Sequence, residues 1–114
     1  MLHAEQIRDF ALSLQEVEES TPFGEDILVY KTNNRMFLLL ALDEMPVRIN
    51  VKCDPQYAIL LREQYPQAVL PGYHMNKIHW NTLVLDGTLS EQQVKQFIID
   101  SYQLIRMSSK KKKR

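Results

Sequence analysis

The chain has 114 residues, of which 45% are hydrophobic and 25% are charged, and its formal net charge is zero. This size and composition are typical of one soluble globular domain and leave no room for a second. No apolar run is long enough to span a bilayer, and the first residues lack the basic start and apolar core of a signal peptide. We therefore expect one cytoplasmic domain, residues 1 to 107, followed by a disordered basic tail, residues 108 to 114.

The zero net charge hides an uneven distribution along the chain. Six basic residues and no acidic residue lie in 106–114, so residues 1 to 105 carry a formal charge of −6. Seven acidic residues in the first 26 positions oppose only Arg8. A nucleic-acid surface must therefore avoid the first helix, and the tail is expected to attract polyanions without specificity.

The N-terminal half predicts a helix and three strands. Apolar residues at helical spacing indicate an amphipathic helix over residues 3 to 17, with Ser20 to Glu25 as a turn cluster. Three strand-like runs follow, at 26–32, 35–42 and 46–53. Because the connections between them are short and polar, we expect antiparallel hairpins. The second run is apolar throughout, which favours a central strand.

The third run alternates with a period of two. Its apolar positions end at Cys53, which we interpret as a small buried hydrophobe rather than a reactive thiolate. The alternate positions are basic or polar and are expected to face outward: Arg48, Asn50 and Lys52.

The C-terminal half predicts two helices and two strands. Asp54 and Pro55 cap and begin one helix, which ends before Pro66, and Ser90 with Gln93 forms a capping box for the last helix. Strands are expected at 68–70 and 81–86. The predicted order is α-β-β-β-α-β-β-α, an α+β two-layer fold with a five-stranded antiparallel sheet and three helices on one face.

One segment, residues 71 to 82, concentrates the polar and aromatic chemistry. PGYHMNKIHWNT contains two of the three histidines and the only tryptophan. It could be a functional loop held by a rigid scaffold. Alternatively, it is a structural clasp, in which Met75 and Trp80 are core and the polar side chains bond the irregular backbone.

This segment, together with TPFGEDILVYK, RMFLLLAL and RINVKCDP, resembles the MmcQ/YjbR family of small bacterial proteins over residues 12 to 102. The resemblance implies a YjbR-like fold related to secretion chaperones and suggests DNA binding through a double-wing arrangement, without an established reaction. The family-motif positions are Pro71, Gly72, Tyr73, His74, Met75, Asn76, Lys77, His79, Trp80 and Asn81.

The motifs that accompany metal binding or catalysis do not occur. The chain has no paired CxxC, HExxH, nucleophile elbow or phosphate-binding glycine loop. We therefore predict no metal, no cofactor and no enzymatic activity.

The leading functional prediction is weak, non-specific DNA binding through the hairpin wings and the central segment. Cationic groups can neutralise phosphates, asparagines can bond bases or backbone, and an exposed aromatic ring can stack. The candidate residues are Arg48, Asn50, Lys52, Asn76, Lys77, His79 and Trp80. The alternative is a chaperone-like interaction module that binds a protein partner or itself, as a homodimer.

Overall fold

A computed structural model describes residues 2 to 112, with side chains described through Met107. Over these residues the chain forms three helices and six strands. Their bounds are α1 (Ala4–Ser13), β1 (Glu18–Ser20), β2 (Ile27–Thr32), β3 (Arg35–Ala41), β4 (Arg48–Lys52), α2 (Pro55–Gln64), β5 (Val69–Pro71), β6 (Trp80–Val84) and α3 (Glu91–Lys112). The strands form one antiparallel sheet in the order β1-β2-β3-β4-β6-β5.

All three helices pack against the same face of the sheet, which confirms the predicted α+β two-layer fold. The main core joins the apolar sides of the helices to the inward side chains of the strands, because each layer alone would expose its apolar surface. This core includes Ile7, Ala11, Leu38, Leu40, Ile49, Val51, Leu61, Leu83, Val94 and Ile98. The opposite face of the sheet, here called the outer face, is covered by no helix of the described chain.

The predicted helix caps are present where the local sequence placed them. The Asp54 side chain accepts a hydrogen bond from the Tyr57 amide at 3.3 Å, with Pro55 at the first helical position of α2. At α3, the Ser90 amide donates to Gln93 Oε1 at 2.8 Å, and the Gln93 amide donates to Ser90 Oγ at 3.1 Å. These reciprocal bonds satisfy donors that the first helical turn leaves unpaired.

The sheet has six strands rather than the predicted five, and α1 ends earlier than predicted. Residues 14 to 17, assigned to the helix by their apolar spacing, leave it after Ser13, and Glu16 adopts a positive φ of 58°. The additional strand, β1, pairs with β2 from Glu18–Lys31 to Ser20–Val29. Tyr30 Oη donates to Glu19 Oε2 at 2.7 Å, and Arg8 Nε lies 2.9 Å from the same oxygen. Contacts distant in sequence thus stabilise a strand that local propensity disfavours.

The C-terminal helix is longer than predicted. Helical backbone continues to Lys112, whereas the sequence predicts disorder from residue 108; residues 113 and 114 lie outside the described part of the chain. Arg106 is not part of a free basic tail, since its Nη1 lies 3.0 Å from Glu16 Oε2 and 2.9 Å from Thr32 Oγ1.

Candidate functional site

The outer face carries a second, smaller apolar cluster that the central segment helps to form. Val29, Leu39 and Trp80 are its buried members, and Ile27, Met36 and Met75 pack against them. Trp80 is only 5% exposed, so its ring is not the exposed stacking group that the sequence prediction required. The reason is its position on β6 beside β4, where it packs into this cluster and Lys52 Nζ lies 5.8 Å from its ring centroid.

Arg62, on α2, ties the central segment to the helix layer. Its Nε donates to Asn81 Oδ1 at 2.7 Å, and its Nη2 donates to the carbonyls of Lys77 and, at 3.3 Å, Trp80. Asn81 is 1% exposed and also donates from Nδ2 to the Ala58 carbonyl at 3.4 Å. A guanidinium group suits this role because its five donors have a fixed planar arrangement. One part of the segment is therefore a structural clasp.

Gly72 and Asn76 shape the turn between β5 and β6. The Gly72 amide donates to the Trp80 carbonyl at 2.9 Å, and a Cβ at Gly72 would lie 2.7 Å from Trp80 Cβ. Asn76 Oδ1 accepts from the Ile78 amide at 2.9 Å, and its carbonyl accepts from the amides of His79 and Trp80. Gly72 permits close backbone approach, and Asn76 supplies a side-chain turn of the kind asparagine favours. Asn76 is thus occupied in holding the loop.

Lys77 and His79 lie on the surface of the same loop. Lys77 Nζ donates to the Gly72 carbonyl at 3.3 Å, and the His79 carbonyl accepts from the Cys53 amide at 2.8 Å. Both side chains are exposed. Lys77 is therefore held towards the loop, while the His79 ring is accessible.

A hydrogen-bonded group fixes the polar centre of the outer face. Thr82 Oγ1 donates to Asn50 Oδ1 and accepts from the Tyr73 amide at 2.9 Å. Asn50 Nδ2 lies 3.5 Å from the Tyr73 carbonyl. Asn50 and Thr82 are paired in register on β4 and β6. The predicted outward orientation of Asn50 is present, and its carboxamide is pre-oriented by its neighbours.

Four cations lie on the outer face or at the end of its first hairpin. Arg48 and Lys52 belong to β4, Lys31 lies near the end of β2, and Arg35 begins β3. Three of them line an open hollow of about 460 Å³, whose described lining contains no carboxylate; we call it the basic hollow. It is lined by Pro22, Phe23, Lys31, Asn34, Arg35, Met36, Lys52 and Trp80. The hollow has the charge to accept an anionic group.

A second hollow of about 490 Å³ lies further along the same face; we call it the apolar cleft. Its apolar lining includes Ile27, Leu39 and Met75, and its exposed rim carries the carboxylates of Asp26, Asp43 and Glu44. The polar and charged lining residues are Asp26, Asp43, Glu44, Arg48, Asn50, His74 and Thr82. Phe23, which is 57% exposed, lines both hollows and lies between them. The outer face therefore joins an apolar site to a cationic one.

Cys53 does not have the environment of a reactive thiol. Burial, followed by the nearby carboxylates of Asp54 and Asp100, raises the pKa of the Cys53 thiol to about 11, so the group is protonated at neutral pH. Cys53 is half-buried against the main core, in agreement with a structural role. Within residues 2 to 112, no group of three or more His, Cys, Asp or Glu side chains is placed to hold a metal ion. No helix in this range is long and apolar enough to cross a membrane.

Comparison with known proteins establishes the ancestry of this fold. A model of the YjbR family matches residues 12 to 104. The chain belongs to the YjbR family. The resemblance predicted from the central segment and its three companion motifs is thereby confirmed.

YjbR relatives cover most of the chain. YbdF of Escherichia coli O157:H7 is 38% identical over 102 residues, 89% of this chain and 82% of the relative. YjbR of Escherichia coli K12 is 36% identical over 73 residues, 64% of this chain and 61% of the relative. Both are named only as uncharacterized proteins, so they supply no activity.

Solved structures share the fold. The crystal structure of Deinococcus radiodurans DR2400, with domain DUF419, superposes with a TM-score of 0.87 at 34% identity, over 92% of this chain and 79% of that one. A Pseudomonas syringae protein superposes with a TM-score of 0.75 at 26% identity, over 90% of this chain and 98% of that one. The two-layer fold is therefore a property of the YjbR family, and function must be argued from the site.

Sequence reasoning missed two residues that define the site. Arg62 gave no local signal, because its partners lie 15 to 19 residues away on another element. Phe23 did give a signal, since an aromatic residue stands inside the otherwise polar turn cluster STPFGE. An exposed aromatic side chain in a turn is a candidate contact residue.

Proposed function

We propose that the chain binds DNA weakly, and without strong sequence preference, through the outer face of its sheet. The observation that carries the proposal is the placement of the cations. Residues 1 to 105 have a net charge of −6 and only eight basic residues, yet four of these lie on or beside the one sheet face that the helices leave open. Three of them line the basic hollow, whose lining contains no carboxylate, and cations grouped in this way on an acidic protein favour an anionic ligand.

The spacing of these cations suits an extended polyanion. Arg48 and Lys52 point to the same side of β4, and four residues of strand separate them by about 13 Å. Lys31 and Arg35 flank the turn at Asn33 and Asn34, both with positive φ. This hairpin projects beside β4 and is the candidate wing.

Exposed aromatic side chains accompany the cations. Phe23 is 57% exposed, and Tyr73 is 61% exposed with its ring centroid 4.0 Å from that of His74. Aromatic platforms beside cationic grooves are the usual arrangement for sequence-tolerant nucleic-acid binding, because every base offers a π face. Phe23 and Tyr73 thus replace Trp80 as the stacking candidates.

The proposal is one of binding without catalysis. It is supported by the raised pKa of Cys53, which removes the only thiol as a nucleophile at neutral pH. It is also supported by Asn76, Asn81 and Arg62, whose side chains form hydrogen bonds that stabilise the central segment. The residues expected to contact phosphates are Lys31, Arg35, Arg48 and Lys52, with Lys77 and His79 at the periphery.

The first prediction is that neutralising the outer face weakens DNA binding. Anisotropy titrations would use labelled DNA and a full-length chain in which Lys110, Lys111, Lys112 and Lys113 are changed to Gln, so that the C-terminal lysines cannot dominate. In this background, Arg48→Gln with Lys52→Gln should lower the affinity several-fold at low salt. The slope of log affinity against log salt should fall by about 0.7 to 0.9 for each phosphate that the protein no longer neutralises.

Lys95→Gln is the matched control, because Lys95 lies exposed on α3, on the opposite side of the molecule. It removes one positive charge, against two in the outer-face variant, and should leave the salt slope unchanged. If the Lys95 variant weakened binding as much as the outer-face variant, a localised site would be contradicted. If the chain with Gln at the four C-terminal lysine positions bound no DNA at all, the folded domain would not be the DNA-binding element.

A protein-interaction module is the second candidate, and α2 supplies the observation that favours it. Ile59 and Leu60 are 52% and 58% exposed, and Tyr57 on the same helix is 44% exposed. Exposed apolar side chains grouped on a helix are typical of surfaces that contact another chain. This candidate requires self-association or a protein partner, and sedimentation of the chain alone as a monomer at high concentration would exclude the homodimer.

A further inference from the structure

The two hollows of the outer face differ in chemistry and share one wall. The basic hollow presents Lys31, Arg35 and Lys52, and the apolar cleft presents Ile27, Leu39 and Met75. Phe23 lines both of them. A ligand that fills both would combine an anionic group with an apolar body.

The apolar cleft has the dimensions of a small-molecule site rather than of a duplex surface. Its volume of about 490 Å³ lies within the range of ligand pockets, roughly 300 to 1,000 Å³. A base inside a duplex cannot enter such a cleft unless it leaves the stack. A base of a single strand can enter it freely.

The polar rim of the cleft matches the edge of a base. The carboxylates of Asp26, Asp43 and Glu44 can accept hydrogen bonds from a base's exocyclic amino group. The pre-oriented carboxamide of Asn50 can contact its acceptor atoms. The same carboxylates would repel a phosphate, so the cleft discriminates against the anionic part of the ligand.

The spacing of the two hollows matches one nucleotide. Asn50 lines the apolar cleft and Lys52 lines the basic hollow, two residues apart on the same side of β4. This separation is about 7 Å along the strand, which a nucleotide spans from its base to its phosphate.

We propose that the apolar cleft holds one nucleobase of a single-stranded nucleic acid, while the basic hollow holds the adjoining phosphates. The base leaves its neighbours in the strand and stacks on the Phe23 ring. The inference rests on the proposed function and specifies it, since it selects single strands over duplexes. Phe23 acts as the stacking residue, and Asn50 and the rim carboxylates contact the base edge.

The test compares an intact single strand with the same strand lacking its bases. The probes are a labelled oligodeoxycytidine, whose amino groups suit the carboxylate rim, an abasic strand of equal length and phosphate number, and a duplex of that length. Binding is measured by anisotropy at low salt with the full-length chain whose C-terminal lysines are Gln. We expect the intact strand to bind roughly five-fold to a hundred-fold more tightly than the abasic strand. It should also bind more tightly than the duplex.

Phe23→Leu isolates the stacking residue. Phe23 is more than half exposed, so the substitution should leave the fold intact, which circular dichroism would verify. It should weaken binding of the intact strand to near that of the abasic strand, with no further loss for the abasic strand. Tyr57→Leu is the matched control, because it removes an exposed aromatic ring from α2 and should change neither affinity.

The outcomes separate this inference from the proposed function. Equal binding of the intact and abasic strands, or tighter binding of the duplex, would overturn the base site and leave phosphate binding standing. Failure of every probe to bind would overturn both. Deoxycytidine monophosphate tests whether the ligand is a strand or a free nucleotide. If an equimolar amount of the mononucleotide displaced the strand, the base site would be supported, but the proposal that its ligand is a strand would be overturned.

Discussion

Gly72 lies at the closest backbone approach in the central segment. Its amide bonds the Trp80 carbonyl, and a side-chain carbon there would meet both Trp80 Cβ, at 2.7 Å, and Trp80 O, at 2.9 Å. These atoms belong to β6 and to a buried residue, so they cannot move away without disturbing the sheet. A glycine is required here by packing.

We predict that Gly72→Ala lowers the free energy of unfolding by about 1 to 3 kcal/mol, the usual cost of overpacking a well-filled site. Urea denaturation followed by Trp80 fluorescence would measure it. Gln67→Ala, at an exposed position just before β5, should change stability by less than about 0.5 kcal/mol. If the Gly72→Ala variant were as stable as the parent, the backbone around Gly72 and Trp80 would be able to move apart, and packing would not require a glycine here.

For individual residues, the sequence predicted the direction of a side chain better than its exposure. The period of two on β4 placed Arg48, Asn50 and Lys52 on the outer face, because alternation is a property of strand geometry alone. The burial of Trp80 depends on Val29 and Leu39, which lie on other strands. No local pattern around Trp80 could reveal those partners.

At the scale of the elements, β1 is held to the fold by a charged contact. Glu19 accepts hydrogen bonds from Tyr30 Oη and from Arg8, and these hold the pKa of its carboxyl below the usual value. A depressed folded-state pKa contributes stability that is present above the unfolded pKa, about 4.3, and is lost as the pH falls through the folded value.

We therefore predict that Glu19→Gln destabilises the protein by about 1 kcal/mol at pH 7, with much of the effect on β1. The difference from the parent should shrink as the pH is lowered from about 5, since the parent carboxylate is then protonated as well. Thermal unfolding of both chains between pH 3 and 7 would measure this. Glu63→Gln, exposed on α2, is the control; a Glu19→Gln deficit that is constant across this range would contradict the charge-based account.

Local signals explain which elements could be predicted. The caps of α2 and α3 involve residues within three positions of each other, so the sequence displays them directly. The three-residue strand β1, with the sequence EES, has no strand propensity and exists through its pairing with β2. The sequence did not predict β1 because this strand forms only through its pairing with a distant segment.

For the whole molecule, hydrophobic patterns established the two layers and the antiparallel hairpins. They did not establish the strand order, in which β6 lies between β4 and β5, because pairing across α2 leaves no local trace. This order brings Thr82 beside Asn50 and Trp80 beside Lys52. The candidate site is therefore a product of topology, and its residues come from stretches that lie far apart in the chain.

A nucleic-acid interface on the outer face of the sheet, as proposed above, can be tested residue by residue. The most direct measurement is an NMR titration with single-stranded DNA, monitored through amide chemical shifts. It uses the ¹⁵N-labelled chain in which the C-terminal lysines are changed to Gln. We predict saturable shifts in β4, β6, the Lys31–Arg35 hairpin and the turn around Phe23, with α1, α2 and α3 unchanged. Shifts confined to the helices, or an outer face that stays unchanged at saturating DNA, would contradict it.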